Sequence, residues 1–228
     1  PNDGAAFDFF GGNVSIDGYT MVIGAHFAHT NDVGCAYVFT RGSTFNWTQI
    51  AKLTASDGAN YDYFGNSVSI DGDTIVVGAK FDDDNGSNSG SAYVYTRNTA
   101  GSLTAGWTQR AKLTPNDGAS NDYFGHRVSI DGDTIVIGAG YDDDDGSASG
   151  SAYVYTRNTA GSLTSGWTQR AKLTASDGAA NDNFGESVSI DGDTIVIGAR
   201  WNDVSGNGRG SAYVFTRDTA GSLTSGWT

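Results

Sequence analysis

The chain has 228 residues and a formal net charge of −13 at pH 7, with a pI near 4.3. That charge repels nucleic-acid phosphates and anionic lipid head groups, so we expect no nucleic-acid partner and favour cationic partners or metal ions. The chain has no run of 18 apolar residues, which argues against membrane insertion, and its only cysteine, Cys35, excludes an intrachain disulfide.

Taken in chain order, the sequence consists of four copies of one unit of about 60 residues. A Phe-Gly pair begins at residues 10, 64, 124 and 184, and a Gly-Ala pair follows fourteen positions after each. An aromatic triplet and a tryptophan then recur in the same order. Such a period is typical of β-propellers and other repeat folds. We therefore predict a single repeat domain over 1–228, with units at 1–54, 55–114, 115–174 and 175–228.

Each unit is predicted to be a four-stranded antiparallel sheet, which the second copy illustrates. Its strands are predicted at 65–71, 74–79, 91–97 and 107–114, with Asp71-Gly72 turning the first into the second. The second strand, TIVVGA, is apolar throughout and is expected to be covered on both faces. The fourth, WTQRAKLT, alternates and suits an outer strand with one wet face. Helices are not expected, because aspartate supplies 25 of the 26 acidic residues.

A sheet of four strands cannot bury both of its faces alone, so the copies are expected to stack on one another. The all-β fold is therefore either a closed propeller ring or an open stack. The fourth copy ends after Trp227-Thr228 and is predicted to lack most of its outer strand. That leaves an unpaired strand edge, which invites another strand.

The second copy reads FGNSVSIDGDTIVVGAKFDDDNGSNSGSAYVY from residue 64 to residue 95. This segment and its three counterparts resemble the FG-GAP repeat of integrin α-subunit propellers and of many bacterial surface proteins. The resemblance implies a β-propeller, usually of seven blades, that acts in adhesion or ligand binding outside the cell or at its surface. Many members also carry a D-x-D-x-D-G-x-x-D calcium loop between their first two strands. This chain has SIDGDTIVV there, too few oxygens for calcium, so that site is not carried over.

Acidic loops after the second strand are the candidate metal site. The middle copies read Asp82-Asp83-Asp84 and Asp142-Asp143-Asp144-Asp145, and clustered carboxylates either face water or are relieved by a cation. Possible calcium ligands are Asp82, Asp84, Asp142 and Asp144; the alternative is a pair of solvated loops.

A second acidic pattern lies where one copy joins the next. An Asp-Gly is followed five residues later by another aspartate, at Asp3/Asp8, Asp57/Asp62, Asp117/Asp122 and Asp177/Asp182. The functional interpretation is a rim for a shared cation or ligand. The structural one, which we favour, is a side chain that ties down loop amides.

Catalytic patterns are absent from the sequence, so we expect no enzyme activity. His26, His29 and His126 have no nucleophile or metal-ligand spacing, and Cys35 takes the place of a serine in the other copies. Three sequons begin at Asn13, Asn46 and Asn85, and they matter only in a secreted eukaryotic protein.

Three functions remain from the sequence. The leading hypothesis is a non-catalytic extracellular module that binds a protein or glycan ligand, or acts in adhesion, through its loops. The alternative is a structural subunit that assembles into a fibre or surface layer through strand completion between chains. The third is a lectin, suggested by Trp201, which takes a loop position held elsewhere by Phe27, Phe81 and Tyr141.

Overall fold

The computed structural model describes residues 1–28, 31–43, 45–203 and 208–228, which form fifteen β-strands in four antiparallel sheets and no helix. No helix of this described part is therefore long and apolar enough to cross a membrane. The strands are β1 Val14–Asp17, β2 Thr20–Ala25, β3 Cys35–Arg41, β4 Trp47–Leu53, β5 Ser67–Asp71, β6 Thr74–Ala79, β7 Ser91–Arg97, β8 Trp107–Leu113, β9 Arg127–Asp131, β10 Thr134–Ala139, β11 Ser151–Arg157, β12 Trp167–Leu173, β13 Phe184–Asp191, β14 Thr194–Ala199 and β15 Ser211–Thr216.

Each sheet is a meander in which consecutive strands are neighbours. The orders are β1-β2-β3-β4, β5-β6-β7-β8, β9-β10-β11-β12 and, in the fourth sheet, β13-β14-β15. The Asp-Gly turn forms because Gly72 adopts a φ of 52°, which glycine tolerates and most residues do not. The all-apolar strand β6 is buried at all six positions, whereas β8 is mostly half-buried. The predicted inner and outer strands are thus confirmed.

The core consists of layers between consecutive sheets. We call the face that a sheet turns toward the next sheet its trailing face, and the opposite one its leading face. Val76 and Val94 on the trailing face of the second sheet pack with Ile135 and Ile137 on the leading face of the third, and all four are fully buried. The first and third interfaces repeat this arrangement. Strand β6 is apolar throughout because each of its two faces packs in a different layer.

The two glycine motifs of the repeat meet at each interface. A methyl group on Gly78, from the Gly-Ala pair of the second repeat, would collide with the carbonyl oxygen of Gly125, from the Phe-Gly pair of the third. Gly125 itself has a φ of 84° and fits against the backbone of Ser91. The sheets therefore approach each other at backbone distance here, which only glycine permits.

Hydrogen bonds also join consecutive sheets along their first strands. The amides of Val128, Ile130 and Gly132 donate to the side chains of Ser67, Ser69 and Asp71 at 2.9, 3.2 and 2.7 Å. In the other direction, Arg157 donates to Thr74 at 2.9 Å and to Asp133 within its own sheet at 2.5 Å. Packing, glycine contacts and hydrogen bonds therefore hold the sheets in one fixed stack.

The stack is open at both ends in the described residues. On the leading face of the first sheet Val14 and Ile16 are 64% and 62% exposed, and on the trailing face of the fourth sheet Val196 and Val214 are 42% and 61% exposed. The equivalent residues inside the stack are buried, except Val188, which is half-buried. The architecture is therefore a set of propeller-type sheets with two uncovered faces, and no closed ring is formed by this part of the chain.

Candidate functional site

The second, third and fourth copies differ from one another mainly at one end of the stack. This end contains the loop that leads into each first strand and the loop that follows each second strand, and we call it the variable end; in the second repeat it comprises residues 55–67 and 80–90. Ten of the twelve differences between the second and third repeats fall at the variable end. In the numbering of the second repeat they are at positions 55, 56, 60, 61, 66, 67, 80, 81, 85 and 88. At the opposite end the turns and loops are almost the same in both copies. The variable end is therefore the candidate functional site.

A row of aromatic rings crosses the variable end from the first repeat to the third. Its rings come alternately from the loop before a first strand and the loop after a second strand. In the fourth repeat Asn183 interrupts the row, and Trp201 lies beyond it with 51% of its surface exposed. Successive ring centroids are 4.8 Å apart for Phe9 and Phe27, 4.7 Å for Phe27 and Tyr63, 4.8 Å for Tyr63 and Phe81, 5.1 Å for Phe81 and Tyr123, and 4.8 Å for Tyr123 and Tyr141.

Three members of this aromatic row have a strained backbone. Phe9, Tyr63 and Tyr123 adopt φ values of 51°, 57° and 56°, a region that bulky side chains rarely enter. The Tyr63 amide is held there by the carbonyl of Asp32 at 3.3 Å, from the loop of the preceding repeat. Such strain persists only where its surroundings enforce it, and it concentrates at functional sites. Our sequence reasoning identified the positions of Phe27 and Phe81 but missed these three, although each directly precedes a Phe-Gly pair.

A pocket with positive charge lies beside the row. It is a cavity of about 290 Å³ whose side chains come from the first three repeats. Neither Lys80 nor Arg127 has a carboxylate partner among the described residues, although Arg127 donates to the carbonyl of His126 at 2.8 Å. We call it the basic pocket, and the side chains used below are His26, Phe27, Tyr63, Lys80, His126 and Arg127.

The pKa values of the basic pocket reflect burial and crowding of like charges. Burial, and then the nearby Arg127, lower the pKa of Lys80 from its usual range, although the carboxylate of Glu186 opposes the shift. Burial lowers the pKa of His126 to about 3, with Arg127 and Lys80 adding to the effect. The Nδ1 atoms of His26 and His126 are buried, and neither has a hydrogen-bond partner within the described ranges. Burial lowers the pKa of His26 as well, so both histidines favour the neutral form at pH 7 and the charge of the pocket comes from Lys80 and Arg127.

The acidic loops are organised around a lysine from the outer strand. The amino group of Lys112 lies 2.9 Å from Asp82 and 2.8 Å from Asp57, and it also contacts Asp84. The hydroxyl of Tyr93 donates to Asp82 at 2.8 Å. Burial opposes a charge on Lys112, but its hydrogen bonds to the three carboxylates outweigh this and raise its pKa. A lysine thus supplies the cation that clustered carboxylates require.

The third repeat has the same cluster, in which Lys172 contacts Asp117, Asp142 and Asp144. The two predicted calcium sites thus have an ammonium group against their carboxylates. Nowhere in residues 1–28, 31–43, 45–203 and 208–228 do three or more acidic, histidine or cysteine side chains form a group that could hold a metal ion. Calcium binding by these aspartates stays a prediction, and the lysine offers another explanation of why the loops are acidic.

The carboxylates between repeats tie down loop amides, as the structural interpretation predicted. Asp62 and Asp122 each accept a hydrogen bond from an amide three residues earlier, at 2.6 and 2.7 Å. Both side chains are almost completely buried, and burial raises the pKa of each to about 6. The nearby carboxylates of Asp82 and Asp142 add to these shifts.

The remaining sequence candidates lie apart from one another. Asn46 and Asn85 are exposed, whereas the side-chain oxygen of Asn13 accepts the amide of Val68 at 3.0 Å in the interface between sheets. Glycosylation of these asparagines stays a prediction. Cys35 is fully buried in strand β3. His29 lies outside the described residues.

Comparison with known proteins places this architecture in a family. The model of the FG-GAP repeat matches residues 1–39, 47–95, 107–155 and 167–215. No curated protein matches the chain. One solved structure with a similar fold is described as a GH43 glycoside hydrolase whose active site was engineered to display both endo-xylanase and exo-arabinofuranosidase activity. It is 14% identical over 95% of this chain and 39% of that chain, with a TM-score of 0.44.

The chain spans about two fifths of the length of that hydrolase structure, and a likeness this distant says nothing about its activity. Four stacked sheets with glycines at every interface define a propeller-type repeat protein. Since the four matches cover most of the chain, it belongs to the FG-GAP repeat family. FG-GAP repeats typically occur in extracellular proteins.

Proposed function

We propose that this chain is a non-catalytic extracellular module that recognises a ligand through its variable end. The observation that carries the proposal is where the copies differ. The repeats are nearly identical in the strands, yet they differ at the loops that hold the aromatic row and the basic pocket. A rigid scaffold that presents varied loops on one side is a common arrangement for binding sites.

The energetics of the aromatic row favour binding as well. Its rings are half-buried or exposed, so a ligand would remove apolar area from water at little cost in side-chain entropy. The loop imposes this φ in every repeat, as Asn183 shows, so the choice of a bulky tyrosine at positions 63 and 123 is an additional cost that the fold does not require. An adhesive or ligand-binding role accounts for both features.

The test uses a panel of immobilised neutral polysaccharides, acidic polysaccharides and collagen. The variant Tyr63→Asn/Tyr123→Asn replaces both tyrosines with asparagine. The fourth repeat has asparagine at the equivalent position, Asn183, with a φ of 54°, so we expect the backbone to be preserved. We expect the wild-type chain to bind at least one probe and the variant to bind it about tenfold more weakly, a change of roughly 1.4 kcal/mol.

Phe45→Ser is the matched control, because Phe45 is 76% exposed and does not belong to the variable end. It should bind like the wild type. Equal binding by Tyr63→Asn/Tyr123→Asn and wild type would contradict the role of the row. Release of reducing sugar from the polysaccharides would contradict a non-catalytic function.

Assembly of copies into a fibre or layer is the second candidate, and the two open faces favour it. Each face matches one that is covered inside the stack, since Val214 corresponds to Val154 and Ile16 to Ile130. The hydrogen-bonding groups match as well. Asp191 and Ser189 correspond to Asp71 and Ser69, which accept amides of the next sheet, and they have no such partner in the part of the chain described.

A second copy of this chain would satisfy both faces by placing its first sheet on the fourth sheet of its neighbour. Repetition of such a head-to-tail contact builds a filament. This route differs from addition at the strand edge, the one that the sequence suggested. Sedimentation velocity over a range of concentrations tests it. We expect growth of the particle with concentration in the wild type and a monomer for Val214→Asp; a strictly monomeric wild type at high concentration excludes assembly.

A further inference from the structure

We propose, building on ligand recognition at the variable end, that the basic pocket binds the carboxylate of an acidic saccharide whose ring packs against Phe27 and Tyr63. The proposal brings together a cavity, two unpaired cations and two aromatic rings.

The two cations of the pocket lie near each other, and neither forms an ion pair in the described residues. The formal net charge is −13, and seven of the 13 lysines and arginines pair with a carboxylate in the described residues, as Lys112 and Lys172 do. Arg200, the nearest further cation along the variable end, pairs with Glu186 at 3.1 Å. Lys80 and Arg127 have no such partner among the described residues, although the charge of Glu186 acts on Lys80 from beyond ion-pair distance, and both cations line the same cavity. A bound anion would supply the missing charge.

The position of Lys80 is set by Asn66 of its own repeat and by the ring beside it. Its amino group lies 4.7 Å from the centroid of Phe81, and its amide donates to Asn66 at 3.1 Å. Asn66 in turn donates to the carbonyl of His126 at 3.1 Å, which connects the second repeat to the third. Lys80 and Arg127, from different repeats, are thereby held on one cavity. The neutral histidines add no positive charge of their own, so the two cations of the pocket suit one carboxylate of a saccharide chain at a time.

Comparison of the repeats supports a site and not a structural role. Arg127 stands where the second and fourth repeats have Ser67 and Ser187, and Lys80 stands where the third has Gly140. The sheets fold alike with these residues exchanged. The fold therefore does not require the two cations, and a ligand-binding role accounts for their presence together in one cavity.

The rings of the pocket favour a saccharide. Phe27 and Tyr63 lie with centroids 4.7 Å apart beside the two cations, and Tyr63 is only half-buried. The C–H groups on one side of a pyranose ring match an aromatic face, while a carboxylate on the same sugar reaches a cation. A cavity of about 290 Å³ is the size of one sugar unit or a little more. The charge of the rest of the chain disfavours a ligand of high negative charge density.

The experiment is calorimetric titration of the full chain at low ionic strength with three probes. They are trigalacturonate, its methyl ester, which keeps the sugar rings but removes the charge, and triglutamate, which keeps the charge without sugar. We expect binding of trigalacturonate and about tenfold weaker binding of each of the other two, since both the charge and the rings contribute. Equal binding of the acid and its ester overturns the proposal. Binding of triglutamate in preference to trigalacturonate also overturns it and identifies an acidic peptide as the ligand.

Variants locate the site. Arg127→Ser copies the second and fourth repeats, and Lys80→Gln removes the other charge; each should weaken trigalacturonate binding about tenfold. Arg110→Gln is the control, because Arg110 is exposed on strand β8, has no carboxylate partner in the described residues and carries the same charge. It should bind within about twofold of the wild type. A loss as large in Arg110→Gln as in Arg127→Ser would show that general charge, not the pocket, is responsible.

Failure of this proposal and failure of ligand recognition give different results. If the wild type does not bind trigalacturonate but binds a neutral polysaccharide or collagen through Tyr63 and Tyr123, the basic pocket is not a saccharide carboxylate site, and the proposed function stands. If no probe of the panel and no probe of the titration binds, both are wrong.

Discussion

The third and fourth repeats contain the same strand, TIVIGA, in different surroundings. In the third repeat this strand, Thr134–Ala139, is buried at all six positions. In the fourth, Thr194–Ala199, exposed and buried residues alternate, and Val196 is 42% exposed. Because the sequence is unchanged, the difference comes only from whether another sheet covers the trailing face. The second strand of each repeat is therefore apolar on both faces because each face can pack against a different sheet.

The loops of the two repeats differ in a related way. In the third repeat Lys172 contacts Asp142 at 3.0 Å. The fourth repeat has Asn202 at the position of Asp142, and the side-chain amide of Asn202 donates to the carboxylate of Asp182 at 2.9 Å. The described residues of the fourth repeat include no lysine equivalent to Lys172. In that repeat the uncharged side chain of Asn202 replaces the carboxylate. Matched substitutions in the two repeats separate what a neighbouring sheet contributes from what the repeat itself contributes.

The largest difference is expected for a charge placed on the trailing face. Val154→Asp puts a carboxylate into a fully buried layer and should lower the free energy of unfolding by more than about 4 kcal/mol. Val214→Asp makes the same change where the residue is 61% exposed, and should cost less than about 1 kcal/mol. Urea unfolding followed by tryptophan fluorescence measures both. Similar losses in the two variants would mean that the fourth face is covered in solution.

The glycine contact gives the next largest difference. Gly138→Ala places a methyl group against the carbonyl of Gly185 in the next sheet, and the backbone there has no room to move, so we expect a loss of about 3 kcal/mol. Gly198→Ala meets only the side chain of Ser187, which can rotate, and should cost under about 1 kcal/mol. The same unfolding experiment applies. A tolerated Gly138→Ala would show that the sheets are not held at backbone distance.

Much of this fold could be predicted from the sequence, and the reason is local. Strand β6 and its counterparts stand out because an apolar run follows an Asp-Gly turn, and both signals lie within ten residues of each other. The tie between Asp62 and the Ala59 amide is local too. Because the unit is repeated, each of these local signals occurs four times in the sequence.

The site could not be predicted in the same way, since it depends on how sheets stack. Lys112 reaches Asp57, 55 positions earlier in the chain, and Lys80 and Arg127 come from different repeats. The alternation of the aromatic row likewise requires loops from successive repeats to interleave. Sequence spacing gives no measure of these distances. The one signal within reach was the aromatic residue before Phe-Gly, at Tyr63 and Tyr123.

An intermediate effect is expected when the lysine of an acidic cluster is removed. Lys172→Met leaves Asp117, Asp142 and Asp144 without their cation and should lower stability at pH 7 by about 2 kcal/mol, less than a fully buried pair because Asp144 is exposed. Adding Asp142→Asn, which copies the fourth repeat, should recover about half of the loss. A double variant no more stable than Lys172→Met would contradict the compensation.

The same variant tests the predicted calcium site. Calorimetric titration with calcium should give stronger binding to Lys172→Met than to the wild type, because the ammonium group no longer competes for Asp142 and Asp144. No heat and no shift in melting temperature in either protein would remove calcium as a ligand of these loops.

The smallest effect is expected at Asp122, and it depends on pH. Its pKa is raised by burial to about 6 from its ordinary value of 3.8, so between these values the folded chain holds more protons than the unfolded chain. Stability is therefore greatest at low pH in this window and falls as the pH rises through about 6. Asp122→Asn does not titrate and its oxygen still accepts the amide of Ala119, so it should flatten this slope and gain about 1 kcal/mol at pH 7. Urea unfolding midpoints from pH 4 to pH 7 provide the measurement, and an unchanged slope would mean that burial at this junction does not penalise the carboxylate.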